Sequence, residues 1–326
     1  MRLGAEPGAS GLRNGLWHDL LRAEGGAQAA HAWVSLWSQG SITGQVADLW
    51  QSCLVIAFSK PKSGIRPSCL QETAVKLVER CLLDTHWQQL QQALGPLQLG
   101  AGRPGGAQIA LEVLRAAAAT GTTAEMVSTD LTNAFGTVFR ERVISAAIDA
   151  APWLVPYLAA AWPVQGSLMF TRGPHGWSQK RAQRGVPQGS PLSDKLFSLA
   201  FEALLRQCGV DSLMHRVCYS DDLTLWGKDG TASSCWQSFT AACEAAGLQL
   251  NLGKCHAWRP HAPHRQDNVA PGLAPEAGLV VLGGQLDQGY AAVFGDAIAV
   301  VSPTAEHAAK TWALRSYCGY GHSKSG

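Results

Sequence analysis

The stretch Arg216 to Trp226, RVCYSDDLTLW, decides the fold. Two short runs of strand-forming residues flank the tip Tyr219-Ser220-Asp221-Asp222, a pattern that predicts a β-hairpin. Upstream, Met126-Val127-Ser128-Thr129 predicts a short buried strand that ends at Asp130. Carboxylates from separate segments are what a divalent-cation site needs, since cations neutralise like charges that lie close together. The alternative for each segment alone is ordinary turn chemistry, in which acidic residues favour strand ends and turns.

The other apolar patterns predict a mixture of helices and strands. Helices are expected at 71–94, 107–119 and 140–150, near Ser190-Pro191 with proline at the first helical position, and around Trp236, Phe239 and Cys243 as far as Gly247. Strands are expected at 53–58, in a hairpin of 167–172 with 178–184, and at 279–284. A loop rich in Pro, His and Ala is expected at 259–278.

The N-terminal region, residues 1–58, has the pattern of short amphipathic helices separated by glycines, followed by the strand at 53–58. Its apolar faces are expected to contain tryptophans and leucines: Trp17, Leu20, Leu21, Trp33, Leu36 and Trp37. No residue type with obvious chemistry recurs there.

The composition allows a large core and excludes some classes of protein. The chain has 326 residues, 46% of them hydrophobic, and a formal charge of only +2, so any nucleic-acid-binding surface must be local. Nine cysteines without a short C-x-x-C pair argue against the disulfide framework of a secreted domain. Asp19 and Glu24 interrupt any signal-peptide core, so an intracellular, non-secreted protein is expected. The uncharged stretch Ala150 to Thr171 contains three prolines and is expected to be buried rather than to span a membrane.

Two groups of cysteine and histidine invite comparison with zinc sites. One is Cys255, His256, His261 and His264, and the other is Cys318 with His322. Neither provides a complete ligand set at the spacing of structural zinc. Zinc binding is not expected at either.

The order of the motifs along the chain is more specific than any one of them. A strand ending in Asp130 precedes Gly185-Val-Pro-Gln-Gly-Ser-Pro-Leu-Ser193 and its helix, then Tyr-Ser-Asp-Asp, then Gly247-Leu-Gln-Leu-Asn-Leu-Gly-Lys254. From about 54 to 285 this order resembles reverse transcriptases, especially those of non-LTR retrotransposons and group II introns.

The resemblance implies an α+β fold, the fingers and palm of a right-hand polymerase, with an antiparallel palm sheet backed by helices. It implies a helical N-terminal extension at 1–53, fingers and palm at 54–285, and a short C-terminal tail at 286–326. Only 40 residues follow Leu286, so the helical thumb of the family is expected to be missing.

The resemblance also assigns the catalytic carboxylates. Asp130 and Asp221 would be the principal ligands of two Mg²⁺ ions, Asp222 would complete the acidic tip, and the backbone carbonyl of Leu131 would add a neutral ligand. Lys254 would lie near the leaving pyrophosphate as a general acid, although a lysine after a turn is often simply exposed.

The remaining implied roles concern the nucleotide. Lys60, Lys62 and Arg66, in a turn that precedes Pro67, would bind the triphosphate; the alternative for the lysines is a solvated charged turn. Phe135 would lie beneath the incoming sugar unless it is a core aromatic. Gly189 would allow close backbone approach and Gln188 would hydrogen-bond template or sugar.

Three weaker matches complete the resemblance. Gln98 to Ala107 resembles the family's Gln-x-Gly loop that lies along the template, and Leu282-Gly283 resembles the strand that grips the primer. Gly136 departs from the family pattern, where Asp or Asn often follows the aromatic residue, but its position is not that of a metal ligand.

The implied function is RNA-templated DNA synthesis, with an RNA template, a DNA or RNA primer, deoxynucleoside triphosphates and no membrane partner. One alternative is a decayed or domesticated palm that binds RNA without catalysis. Another is an RNA-dependent RNA polymerase, in which a polar residue usually replaces Phe135 and the tip usually reads Gly-Asp-Asp.

Overall fold

The computed structural model describes residues 6–59 and 64–287. Its strands are β1 (Cys53–Ser59), β2 (Ile65–Gln71), β3 (Glu125–Thr129), β4 (Ser167–Gly173), β5 (Gly176–Ala182), β6 (His215–Tyr219), β7 (Asp222–Gly227), β8 (His256–Trp258), β9 (Pro275–Glu276), β10 (Gly278–Val281) and β11 (Gly284–Asp287). Its α-helices are α1 (Asn14–Arg22), α2 (Gly26–Ser38), α3 (Gly44–Trp50), α4 (Thr73–Leu94), α5 (Gly106–Ala119), α6 (Ala134–Thr137), α7 (Arg140–Ala150), α8 (Val155–Ala161), α9 (Ser193–Gln207), α10 (Val210–Leu213) and α11 (Thr231–Ala245).

The chain divides into two compact units, each built from two segments. The first unit comprises Met1–Ala93 and Asn133–Ala200, and the second comprises Leu94–Thr132 and Phe201–Gly326. Helix α9 contributes to both units. The boundaries expected at 53/54 and 285/286 stay predictions, and the tail beyond 287 lies outside the described residues.

The first unit contains a four-stranded sheet in the order β2-β1-β4-β5. β1 and β2 pair antiparallel from Cys53 with Gln71 to Ser59 with Ile65, and β4 and β5 form the predicted hairpin. β1 pairs with β4 in parallel. Much of β2 and β5 faces solvent.

The N-terminal helices pack around tryptophans. The ring centroid of Trp33 lies 6.2 Å from Trp17, 5.7 Å from Trp37 and 5.1 Å from Trp50. Leu20, Leu21 and Leu36, which were expected on the apolar faces of these helices, are exposed. Helices of 9, 13 and 7 residues enclose little volume, and the indole rings fill it.

Two segments of the first unit differ in detail from the structure that the sequence predicts. The helix expected near Ser190-Pro191 begins at Ser193, so Pro191 does not occupy its first position. The Ser190 hydroxyl instead accepts a hydrogen bond from the Leu192 amide, which gives the proline segment its own turn. The uncharged stretch after Ala150 forms a 3₁₀ turn, α8 and β4. No helix among the described residues is long and apolar enough to cross a membrane.

The second unit is organised around a five-stranded sheet in the order β6-β7-β3-β8-β9. All pairs are antiparallel except that of β8 with the two-residue strand β9. α5 packs on β6, and α11 packs on β7 and β3. The sheet and α5 share a core that includes Leu114, Met126, Val217 and Trp258. A mainly antiparallel sheet backed by helices agrees with the predicted palm.

The strand expected at 279–284 is a hairpin of two strands, β10 and β11. Leu282 and Gly283 form its turn with φ values of 51° and 78°. Positive φ at both central positions is the geometry of a tight hairpin turn, which usually carries Asn-Gly. A leucine within an apolar run hides that signal in the sequence.

Candidate active site

The three aspartates come together at one end of the second unit's sheet. Tyr219 pairs with Asp222 and closes the hairpin of β6 and β7, leaving Ser220 and Asp221 as the two turn residues. Thr129, at the end of β3, pairs with Leu223 in β7. Because these strands are antiparallel neighbours, the residue after Thr129 lies beside the residue before Leu223. The register therefore brings Asp130 next to the acidic hairpin.

The electrostatics of Asp222 reflect this proximity. Its pKa is raised to about 6, first by burial and then by the negative charges of Asp221 and Asp130. A carboxylate whose neighbours repel its charge keeps its proton to a higher pH than an isolated one. The three side chains thus form one acidic site.

Lys254 lies beside this acidic site. Its Nζ is 4.0 Å from Oδ2 of Asp130, and its side chain is 63% exposed. An exposed ammonium at this distance offsets part of the local negative charge while remaining accessible to solvent.

The donor chemistry of the acidic site suits magnesium, which prefers carboxylate oxygens. Within 6–59 and 64–287, no group of three or more His, Cys, Asp or Glu side chains is arranged as a cluster that could hold a metal ion. Burial, and after it the negative charges of Asp221 and Asp130, raise the pKa of Asp222, and a divalent cation would offset the repulsion between these charges. The residues fit the ion in their chemistry.

The segment after β3 is fixed by the chain that leads to Lys254. The Asp130 carbonyl accepts a hydrogen bond of 2.9 Å from the Asn251 amide, and the Thr132 amide donates one of 2.8 Å to Gln249. Leu131 lies between them, bridged to Leu250. The motif from Gly247 to Lys254 thereby holds Asp130 in place, while the ligand role of the Leu131 carbonyl stays a prediction.

An ion network around Arg216, buried except at Asp211, was not predicted. The Arg216 guanidinium, on β6, donates two hydrogen bonds of 2.8 Å to the Glu202 carboxylate. Its Nε donates a third, of 2.6 Å, to Asp211. Arg216 and Glu202 are almost completely buried. An arginine and an acid fourteen positions apart give no periodic signal in a sequence.

Lys254 lies in the second unit, and the other predicted nucleotide-binding residues that the structure describes lie in the first. Phe135 is half-buried and stacks on Phe197, with ring centroids 4.9 Å apart. Arg66 is exposed on β2. Phe135 is therefore neither a fully buried core residue nor a free surface side chain. Lys60 and Lys62 lie outside the described residues.

The loop of Gln188 and Gly189 is anchored to β2. The Cys69 amide donates a hydrogen bond of 2.6 Å to the Gln188 carbonyl. Gly189 has a φ of 111°, and a Cβ at this position would lie 2.7 Å from the Cys69 carbonyl oxygen. Only glycine allows this close approach without strain.

Glu79 supports the same loop from the core and was also not predicted. Ser190 donates a hydrogen bond of 2.6 Å to its carboxylate, and Tyr157 donates one of 2.8 Å. Burial raises the pKa of Glu79, against the effect of these donors. A glutamate within a helical pattern gives no indication that it is buried.

The histidines considered for zinc have other partners. His256 Nδ1 lies 2.6 Å from a carboxylate oxygen of Glu276, and His261 Nε2 lies 2.8 Å from the Thr120 carbonyl oxygen. Cys318 and His322 lie outside the described residues.

Comparison with known proteins decides the family. The family model for reverse transcriptase (RNA-dependent DNA polymerase) matches residues 58–283. The chain belongs to the reverse transcriptase family. No curated protein sequence matches this reverse transcriptase chain. The more specific resemblance to non-LTR and group II intron enzymes stays a prediction.

Solved structures of telomerase share the fold. Apo telomerase from Candida tropicalis superposes with a TM-score of 0.52 at 10% identity, over 85% of this chain and 53% of that one. Telomerase from Candida albicans in complex with a fragment of telomeric RNA gives 0.51 at 11% identity, over 80% and 48%. This reverse transcriptase chain thus spans about half the length of those telomerase chains.

Proposed function

We propose that the chain catalyses RNA-templated DNA synthesis, as part of a retroelement. The reaction would transfer a deoxynucleotide from its triphosphate to the 3′-hydroxyl of a primer and release pyrophosphate. The observation that carries the proposal is the strand register that brings Asp130 beside Asp221 and Asp222 at one end of a buried sheet. Burial, and after it the charges of Asp221 and Asp130, raise the pKa of Asp222 there.

The aspartates would act as ligands of magnesium. Two bound Mg²⁺ ions would lower the pKa of the primer hydroxyl and neutralise charge on the triphosphate. Asp130 and Asp221 would hold the ions, Asp222 would complete the acidic tip, and the carbonyl of Leu131 would add an oxygen. Lys254, which already lies 4.0 Å from Asp130, would donate a proton to the leaving pyrophosphate.

Other predicted residues would contact nucleotide and template. Arg66, together with Lys60 and Lys62, would bind the triphosphate, because cations stabilise its charge. The half-exposed ring of Phe135 would contact the sugar. The loop of Gln188 and Gly189 would approach the nascent base pair, and its anchoring to Cys69 supports a fixed backbone there.

The partners would be an RNA template, a DNA or RNA primer and deoxynucleoside triphosphates. One telomerase neighbour was solved with a fragment of telomeric RNA, which is consistent with an RNA-binding fold. The proximity of Asp130 and Asp221 to Asp222 favours catalysis over passive RNA binding, since carboxylates that repel one another weaken phosphate binding unless a cation neutralises them.

Primer extension by the purified protein tests the proposal. A DNA primer on an RNA template should be extended with deoxynucleotides and Mg²⁺. Asp221→Asn should abolish extension while binding of the template–primer is kept, because phosphate contacts supply that affinity. Asp149→Asn, an exposed aspartate on α7, is the matched control and should extend normally.

The alternatives predict different outcomes in the same assay. A parent protein that binds RNA but extends no primer would be a non-catalytic palm. A parent that prefers ribonucleotides would be an RNA polymerase. Equal extension by the parent and Asp221→Asn would show that the assigned carboxylates are not the active site.

A further inference from the structure

The hairpin that carries Asp221 and Asp222 contains a strained residue. Ser220 has a φ of 57°, in the left-handed region that residues other than glycine rarely adopt. Such a conformation persists only where the surroundings hold it in place. The contacts of Ser220 therefore determine where the two aspartates lie.

The side chain of Gln98 makes those contacts. Its Nε2 donates a hydrogen bond of 3.1 Å to the Ser220 carbonyl, and its Oε1 accepts one of 2.9 Å from the Ser220 amide. The same oxygen accepts a bond of 3.0 Å from the Gly100 amide. One amide side chain thus binds both backbone groups of the strained residue, across 122 positions of sequence.

The backbone on either side of Gln98 also forms hydrogen bonds with the hairpin. The Cys218 amide donates to the Leu97 carbonyl at 2.9 Å, and the Leu99 amide donates to the Cys218 carbonyl at 2.8 Å. At Gly100 an added Cβ would lie 2.1 Å from the Ser220 amide nitrogen. Glycine is required there because the two backbones touch. Residues 97–100 therefore act as a short support for the end of β6.

We propose that Gln98 is a positioning residue for the catalytic hairpin, acting through Ser220 on Asp221 and Asp222. This inference rests on the proposed function. It changes the role expected for Gln98 itself, because a side chain only 1% exposed, with its amide bonded to Ser220, does not lie along a template. Other residues of the loop would make any template contact.

The expected consequence is a loss of turnover rather than of binding. A misplacement of about 1 Å in a catalytic group can lower the rate by roughly 100-fold. If Gln98 only positions the hairpin, affinity for the template–primer stays as it was. A residue that contacted the template would instead change affinity first.

Two substitutions separate the hydrogen bonds from the shape of the side chain. Gln98→Met keeps the length of the side chain and removes all three of its hydrogen bonds. Gln98→Glu keeps an oxygen that can accept from Ser220 and replaces the donor with an oxygen that faces the Ser220 carbonyl. Gln108→Met, at an exposed glutamine on α5, is the matched control. Gln98→Asn, whose amide is too short to span Ser220, provides the test if the methionine variant does not fold.

Hydrogen exchange followed by mass spectrometry tests the hydrogen bonds between Gln98 and Ser220 and does not depend on catalytic activity. In Gln98→Met the Ser220 amide should exchange at least roughly tenfold faster, because its acceptor is gone. In single-nucleotide incorporation kcat should fall roughly 10- to 100-fold, while the Kd for template–primer stays within about twofold. Gln98→Glu should lose at least as much, and Gln108→Met should match the parent in every measurement.

Three results would overturn the proposal. One is unchanged exchange at Ser220 in Gln98→Met; another is a raised Kd with kcat kept, which would make Gln98 a template contact. The third is faster exchange at Ser220 with normal kcat. A parent protein that extends no primer would overturn the proposed function instead, and the exchange measurement would still decide whether Gln98 holds the hairpin.

Discussion

The two sheets of this reverse transcriptase differ in how much of them is buried. In the second unit, β3 and β7 are buried along almost their whole length. In the first unit, β5 is exposed at nearly every residue and β2 over its first half. The aspartates occupy the end of the buried sheet, whereas Arg66 and Lys180 lie on exposed strands. A buried sheet suits groups that must keep a fixed geometry, and an exposed one suits contacts with a large ligand.

Two ion pairs within the second unit extend this comparison of buried and exposed surroundings. The Arg216–Glu202 pair is almost fully buried, while the Arg265–Asp267 pair is about half exposed. Removing one member of a buried pair leaves the other charge without compensation. Removing the arginine should therefore destabilise the protein much more at the buried pair than at the exposed one.

The largest effect on stability is expected from Arg216→Met. Loss of the guanidinium should lower the free energy of unfolding by about 3–5 kcal/mol, because Glu202 is left buried and charged. Urea denaturation measures this. Arg265→Met should leave the urea midpoint almost unchanged, and equal losses in the two variants would contradict the difference drawn between buried and exposed pairs. Adding Glu202→Leu to Arg216→Met should recover stability.

The next effect concerns Phe135 in the first unit. If its ring packs against the sugar, a ribose 2′-hydroxyl has no room and loses its water partners. Phe135→Val should raise ribonucleotide incorporation by roughly one to two orders of magnitude, from about 1–3 kcal/mol of relieved exclusion. The ratio of kcat/KM for a deoxynucleotide and its ribonucleotide measures it. An unchanged ratio in an active variant would show that Phe135 serves only to pack on Phe197.

A smaller effect is expected from the buried acid of the first unit. Burial raises the pKa of Glu79 in the folded protein, so the unfolded chain loses its proton first as pH rises. Stability should therefore be highest below the ordinary glutamate pKa and should fall as pH rises through the raised value. Glu79→Gln should remove this part of the pH dependence. Parallel pH profiles for parent and variant in urea denaturation would contradict it.

The smallest effect on stability is expected on the exposed strand β5. Lys180→Ala removes a solvated side chain with little burial, so the urea midpoint should barely change. If Lys180 contacts phosphate, template affinity should fall and the slope of log K against log salt should decrease by about 1. A large loss of stability would show that β5 is not simply an open strand.

Much of this fold could be predicted from the sequence because its strongest signals are local. The hairpin around Asp221-Asp222 and the strand before Asp130 have short apolar runs and clear turns, and the register of the sheet then brings them together. The helix α7 was predicted with its observed bounds, Arg140–Ala150.

The supports of the site could not be predicted because their partners are distant in sequence. Gln98 reaches Ser220 and Glu79 reaches Ser190, across 122 and 111 positions. The exposure of the leucines on α1 and α2 could not be predicted for a similar reason. The packing of the tryptophans between the helices decides which apolar side chains are covered. Periodicity in the sequence predicts the apolar face of a helix, and tertiary packing decides how much of that face is buried.

The most direct test of the central claim is whether Asp130 and Asp221 serve one site. Single-turnover incorporation of one deoxynucleotide on a fixed RNA template should be compared for Asp130→Asn, Asp221→Asn and the double variant. Each single change should lower the rate on the order of a thousandfold or more, and the double variant should be no slower than the slower single one. A parental rate in either single variant, or losses that multiply in the double, would contradict the assignment of one shared acidic site.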